Sequence, residues 1–234
     1  MEDIQFNSKP RHFTVLLLGD SGVGKTAIVN RLIFGKFLAY SLPTVEASSH
    51  PLEKADGQAD VQIVDTSGRA RFWPSIISRH LATASAAILV YDATNRESLR
   101  QLDVRLAALQ LCGRSGLEII VVGNKADLCS SANRQHQVSP AEGRLWSEQR
   151  CLRHYSVSAK TGLVLGCGSG QTVTSVFANL IARFDVQKKP EGCLAVAEDT
   201  RCHWKPFQTY WTWLSCFAQS QSLRFRRRCS VVPA

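Results

Sequence analysis

Gly19-Asp20-Ser21-Gly22-Val23-Gly24-Lys25-Thr26 decides the fold of this chain. The stretch fits G-x-x-x-x-G-K-[ST], follows the apolar run Phe13–Leu18, which predicts a strand, and opens a segment of helical spacing over 25–35. Small residues let backbone N–H groups turn inward around phosphate oxygens, and the N-terminus of the following helix adds a favourable potential. In such a loop the lysine, here Lys25, reaches the β- and γ-phosphates, and the hydroxyl of Thr26 ligates Mg²⁺. The loop alone leaves ATPases, nucleotide kinases and GTPases open.

Outward from the loop, short β-branched or leucine-rich runs alternate with helical patterns, as βα units around a mainly parallel sheet require. Ala86–Tyr91 and Glu118–Val122 predict strands buried on both faces, and Val61–Val64 predicts a strand ahead of Asp65. Further helices are expected over 96–111, 140–150 and 172–186, where Leu102, Leu106 and Leu109, and again Val173, Val176, Phe177, Leu180 and Ile181, recur at helical spacing. Lys188-Lys-Pro-Glu-Gly192 reads as a linker, which divides the chain into a domain over 1–186 and a tail over 187–234.

A chain of 234 residues, 44% hydrophobic and 20% charged, holds one domain with a sizeable core and excludes full disorder. The net charge of +9 is uneven: residues 1–186 carry 20 basic and 16 acidic groups, whereas 187–234 carry 8 and 3. The eight cysteines show no C-x-x-C spacing, and the first residues, MEDIQFNSK, lack the basic and apolar regions of a leader. A reducing, cytoplasmic compartment is expected. Ala86–Tyr91 is far shorter than the roughly 20 apolar residues a spanning helix needs.

The base is chosen downstream. Asn124-Lys125-Ala126-Asp127 follows the strand ending at Val122, and Ser158-Ala159-Lys160 follows a short strand ending near Val157. An aspartate carboxylate accepts two hydrogen bonds, from guanine N1–H and its 2-amino group, whereas adenine offers no such pair. Both segments fall at the carboxyl edge of the sheet, where ligands of this architecture bind.

With these motifs, residues 10–186 resemble the small Ras-like GTPases and within them the Rab branch. The resemblance implies an α/β fold of the P-loop NTPase kind, with a six-stranded, mostly parallel sheet flanked by about five helices, here followed by an irregular tail. It implies a switch cycling between GTP and GDP with bound Mg²⁺. Its partners would be effectors, an exchange factor and a GTPase-activating protein, and the chain would be a monomer. Carried over by position, Gly19 to Thr26 hold the phosphates and Phe37 stacks on guanine. Thr44 ligates Mg²⁺ and senses the γ-phosphate, Asp65 holds Mg²⁺ through water, and the Gly68 N–H bonds the γ-phosphate. Asn124, Lys125 and Asp127 read the base, assisted by Ser158, Ala159 and Lys160.

Three segments depart from the family pattern. Arg69 stands where a glutamine usually orients the attacking water. A guanidinium has donors but no acceptor, so slow hydrolysis is expected; an internal arginine finger and a solvated side chain are the alternatives. After Thr44 the run Val45-Glu-Ala-Ser-Ser-His-Pro51 replaces a glycine and an apolar-acidic-aromatic strand, and Pro51 cannot donate a ladder hydrogen bond. In Arg71-Phe-Trp-Pro-Ser75, Trp73 and Phe72 form either a contact patch or core packing, and Pro74 stands where arginine is common. Leu163-Val-Leu-Gly-Cys-Gly-Ser-Gly170 intervenes before the last helix and is expected to be irregular.

The tail ends Cys229-Ser-Val-Val-Pro-Ala, without a standard prenylation motif. Its aromatics, the four arginines of Leu223–Cys229 and the thiols of Cys216 and Cys229 suit peripheral contact with the cytosolic face of an intracellular membrane. No nucleic-acid-binding fold accompanies the basic charge, so no nucleic acid is expected.

Overall fold

The computed structural model describes residues 13–52, 61–129, 138–166 and 171–187. A seven-stranded sheet forms its centre. In chain order the strands are β1 (Phe13–Gly19), β2 (Ala47–Leu52), β3 (Val61–Thr66), β4 (Ala86–Asp92), β5 (Glu118–Asn124), β6 (Arg153–Val157) and β7 (Val164–Leu165), and they lie in the order β2-β3-β1-β4-β5-β6-β7. Pairing is parallel from β3 to β6 and antiparallel at both edges, β2 on β3 and β7 on β6. The helices are α1 (Lys25–Phe34), α2 (Trp73–Ile76), α3 (Arg96–Cys112), α4 (Pro140–Glu148) and α5 (Val173–Gln187), with five π-helical residues, Ile77–Leu81, continuing α2.

The expected continuous apolar runs become strands covered on both faces. Val15, Leu17, Ile88, Val90, Ile120 and Val122 point to one layer, with Ile28, Val29 and Leu32 of α1 and Val176, Phe177 and Leu180 of α5. Leu16, Leu18, Leu89, Tyr91 and Val121 point to the other, against Ile76 of α2 and Leu99, Leu102, Leu106 and Leu109 of α3. This alternation has the period of two that a strand imposes. Phe72 and Trp73, each partly buried, pack against the second layer.

Two helix starts are fixed by side-chain caps. Asn95 Oδ1 accepts from Glu97 N at 3.0 Å, and Ser139 Oγ accepts from Glu142 N at 3.1 Å, with Pro140 in the first turn. At α1 the N-cap is Gly24, with φ 93°, no side-chain cap and no acidic residue in the first turn, so its end is left open to an anion.

The six-strand expectation is corrected to seven. Leu163–Leu165 lies between Gly162 and Gly166, both at φ 80°. Leu163 bridges Thr172, and Val164 is buried and pairs with Val157, so part of the extra segment becomes an edge hairpin. Residues 167–170 lie outside the described residues, as does the tail from 188. Pro51 is tolerated because β2 is an edge strand, where a missing N–H need not break a ladder. Among the described residues, no helix is long and apolar enough to cross a membrane.

Beneath β5 and α4, the Tyr91 hydroxyl and His154 Nε2 lie 2.9 Å apart, with the rings stacked at 5.9 Å. Burial, aided by the charge of Arg144, lowers the His154 pKa from 6.5 to about 4. The unfolded chain therefore binds the extra proton first, and stability is lost as the pH falls below 6.5. The full loss is about 3 kcal/mol, of which about 2 kcal/mol has gone by pH 5. Urea unfolding at pH 7 and pH 5 should show this loss in the natural chain, and His154→Gln should flatten it. An equal slope in both proteins would assign the acid sensitivity elsewhere.

Candidate nucleotide site

The carboxyl ends of β1, β3, β5 and β6 open on one cleft of about 580 Å³, within the range of small-ligand sites. Ser21, Gly22, Gly24, Lys25 and Thr26 line one end of it, and Asn124, Lys125, Asp127, Ala159 and Lys160 the other. Phe37, Thr44, Gly68 and Arg69 line it as well. Of the remaining residues expected at the site, Gly19, Val23, Asp65 and Ser158 are buried behind the lining, and Asp20 is held by an ion pair.

At the phosphate-loop end, Lys25 Nζ folds back to donate to Gly19 O at 2.9 Å and Asp20 O at 2.8 Å. Burial lowers its pKa from 10.5 to about 8; the charge of Arg105 adds to that effect, while Asp65 and Asp20 oppose it. The site is thus electropositive and poorly solvated, and an anion placed there would favour the ammonium.

Next to it three oxygens converge. Thr26 Oγ1 donates to Asp65 Oδ2 at 2.6 Å, Thr44 Oγ1 donates to the same atom at 3.0 Å, and the two hydroxyls are 3.0 Å apart. Asp65 Oδ1 is buried without a hydrogen-bond partner among the described residues. Two hydroxyls and a carboxylate with a spare lone pair form an all-oxygen donor set that fits Mg²⁺. Among the described residues no group of three or more His, Cys, Asp or Glu could hold a metal, so softer metals find no comparable set.

The opposite end is built around Asn124, 2% exposed. Its Nδ2 donates to Val23 O at 2.9 Å and its Oδ1 accepts from Ala159 N at 3.1 Å, so one amide joins the phosphate loop to the loop over 158–160. A Cβ on Gly24 would stand 2.2 Å from Asn124 Nδ2, which is why that loop position must be glycine. Ser158 Oγ donates to Asp127 Oδ1 at 2.6 Å, and Asp127 lines the base end of the cleft. Lys125, at φ 62°, pairs with Asp92 at 2.6 Å.

Three contributors were not anticipated from the sequence. Arg31 of α1 donates from Nε to Ala159 O at 2.9 Å and from Nη2 to Lys160 O, fastening the last loop. Asp92 holds Lys125 and also accepts from Thr94 N and Oγ1. Arg105 of α3 pairs with Asp20 at 2.6 Å. Asp92 and Arg105 had local signals: a carboxylate ending a buried strand, and a cation within a leucine stripe. Arg31 had none, because its partners lie 128 and 129 residues away.

On the cleft's open side, a Cβ on Gly68 would meet Ser21 N at 2.1 Å, so this residue lies directly on the phosphate loop. Arg69 is exposed, and its guanidinium makes no hydrogen bond or ion pair among the described residues. Glu46, two residues after Thr44, has φ 61°; its carbonyl accepts from Ser67 N at 2.7 Å and its carboxylate pairs with Arg79 at 2.9 Å.

Comparison with known proteins agrees with this geometry. The sequence model of the Ras family matches residues 14–183. The chain is 32% identical over 195 residues to Ras-related protein RHN1 of Nicotiana plumbaginifolia, covering 80% of this chain and 91% of that one. It is 34% identical over 149 residues to Ras-related protein Rab5 of Nicotiana tabacum, covering 63% and 72%. Ras-related protein Rab-2B of Dictyostelium discoideum is 35% identical over 153 residues, covering 64% and 73%. Family, fold and cleft agree: the chain belongs to the Ras family of small GTPases, as a Rab-like member.

Proposed function

We propose that this chain is a guanine-nucleotide switch of the Rab type that hydrolyses GTP slowly and rests GTP-loaded. The observation that carries this reading is the joining, through Asn124, of a phosphate loop and a carboxylate set for guanine in one cleft. Lys25 and the N–H groups of Gly19 to Thr26 would hold the phosphates, with the Gly68 N–H beside them. Thr26, Thr44 and Asp65 would hold Mg²⁺, which neutralises phosphate charge when bound. Asp127 would accept from guanine, Phe37 would cover the base, and Lys125, Ala159 and Lys160 would frame it.

Slow turnover follows from Arg69. Its side chain lines the cleft but offers no acceptor to orient a water. The same observation favours a second reading, a GTP-bound scaffold that does not hydrolyse at all. The domain over 1–186 would act as a monomer, read by effectors and reset by an exchange factor and a GTPase-activating protein. The Rab names of its relatives support a place in vesicle traffic or signalling. The basic aromatic tail supports peripheral contact with the cytosolic face of a membrane, and nothing in the site suits nucleic acid.

The nucleotide that co-purifies with the full chain tests the resting state. GTP is expected, GDP would mean turnover at an ordinary rate, and an adenine nucleotide would overturn the assignment. Arg69→Gln should raise single-turnover GTP hydrolysis at least tenfold; a fall would identify Arg69 as an internal arginine finger.

Asp127→Asn tests base reading. Guanine affinity should fall about 10- to 100-fold, because a carboxylate acceptor is replaced by an amide that leaves a guanine donor unpaired. Xanthine nucleotides, with a 2-oxo acceptor, should gain affinity. Unchanged discrimination would remove Asp127 from the base site.

A further inference from the structure

Arg105 lies on α3 among Leu102, Leu106 and Leu109, where a charge is costly to bury unless it is fully paired. It is 9% exposed. Its Nη2 donates to Asp20 Oδ1 at 2.6 Å and its Nη1 to Gln101 O at 3.0 Å. The guanidinium carbon stands 5.6 Å from the centre of the Trp73 ring, at the start of α2. One buried cation therefore touches the second residue of the phosphate loop and the first residue of α2. Neither Arg105, Asp20 nor Trp73 lines the cleft, so they would act on a ligand from behind the lining, through the loop and through their charge.

We propose that Arg105 is a positioning residue that clamps the phosphate loop at Asp20 and ties its conformation to α2 through Trp73, so that nucleotide retention and the placement of α2 depend on each other. This rests on reading the cleft as a guanine-nucleotide site. The loop holds glycines at φ 80° and 93°, conformations that cost entropy to fix, and a short charge-assisted bond at Asp20 fixes the loop from behind. The same cation contacts the Trp73 face, so a shift of either partner changes the field and packing felt by the other. Such coupling is reciprocal: what orders the loop also orders α2, and the reverse.

The test uses the full chain with Arg105→Gln, Arg105→Lys, Asp20→Asn and the double variant Asp20→Asn/Arg105→Gln. Two quantities are read: the dissociation rate of a fluorescent GDP analogue, and the fluorine resonance of Trp73 in 5-fluorotryptophan-labelled protein, assigned by its loss in Trp73→Phe. Asp20→Asn and Arg105→Gln should each speed dissociation about tenfold, the double variant should be no faster than the faster single one, and Arg105→Lys should recover part of the loss. Asp20→Asn, which does not alter the tryptophan or the guanidinium, should shift the Trp73 resonance. Dissociation rates that multiply in the double variant, or a Trp73 resonance unmoved by Asp20→Asn, overturn the proposal. Should Arg105→Gln fail to fold, Asp20→Asn and Arg105→Lys decide it by the same two readouts. Tight GDP binding with unaltered variants removes only the role of Arg105, whereas an unaltered chain that holds no guanine nucleotide removes the reading of the cleft and this inference with it.

Discussion

The buried amide of Asn124 is the tie on which the cleft depends. It is satisfied at both ends, by Val23 O and Ala159 N, so that the end of β5 joins the loops that follow β1 and β6. Each bond contributes about 1 kcal/mol net, but losing the amide would leave a buried carbonyl and a buried N–H without partners, at about 1–3 kcal/mol each. Its position is set by β5, whose register against β4 aligns Asn124 with Asp92. The sheet therefore fixes the amide, and the amide fixes the distance between the phosphate and base ends. Gly24 follows from the same constraint, since any side chain there would displace the amide.

Charge is arranged around that frame by function of distance from the cleft. Lys25 faces it in a dry setting, its ammonium held by two carbonyls and not by a carboxylate. Asp20 and Asp92 point away from the lining and are each taken up by a cation, Arg105 and Lys125. Asp65 is shared between two hydroxyls and keeps one oxygen in reserve. The acidic groups close to the phosphate loop are thus either engaged or reserved, and the uncapped N-terminus of α1 adds the field of its free N–H groups.

Most of the fold was legible because its central strands are buried on both faces, and such strands appear as unbroken apolar runs. The phosphate loop was legible because its backbone geometry demands glycine at fixed spacing. The edges were not. β2 is built from Ala47, Ser48, Ser49, His50, Pro51 and Leu52, with neither alternation nor β-branched residues, and it exists because β3 offers it a ladder. β7 is two residues long and depends on glycine turns that look like a loop in isolation. In the site, Asn124, Lys125 and Asp127 were visible as a local motif. Arg31 was hidden because its partners are distant in sequence and carry no periodic trace, whereas Arg105 interrupted a leucine stripe but left its partner, 85 residues away, unmarked.

The departures from the family pattern meet in one place. Glu46 takes a left-handed conformation that costs a non-glycine residue about 1–3 kcal/mol, and it persists only if its surroundings hold it there. Two contacts do so, the Ser67 N–H on its carbonyl and Arg79 on its carboxylate. The ion pair is solvent-exposed and contributes at most about 1 kcal/mol. The backbone bond is short and adjoins Gly68, which itself rests on the phosphate loop. Glu46 is thereby connected to the phosphate loop through protein atoms alone: Glu46 to Ser67, Gly68 to Ser21. Arg69, the next residue, joins this chain of contacts only through its backbone N–H, 3.4 Å from Ser67 Oγ, and its guanidinium is unpaired among the described residues. The loop carrying Thr44 is therefore held partly by the protein itself, while the Arg69 side chain, which departs from the family pattern, is not restrained by this tie.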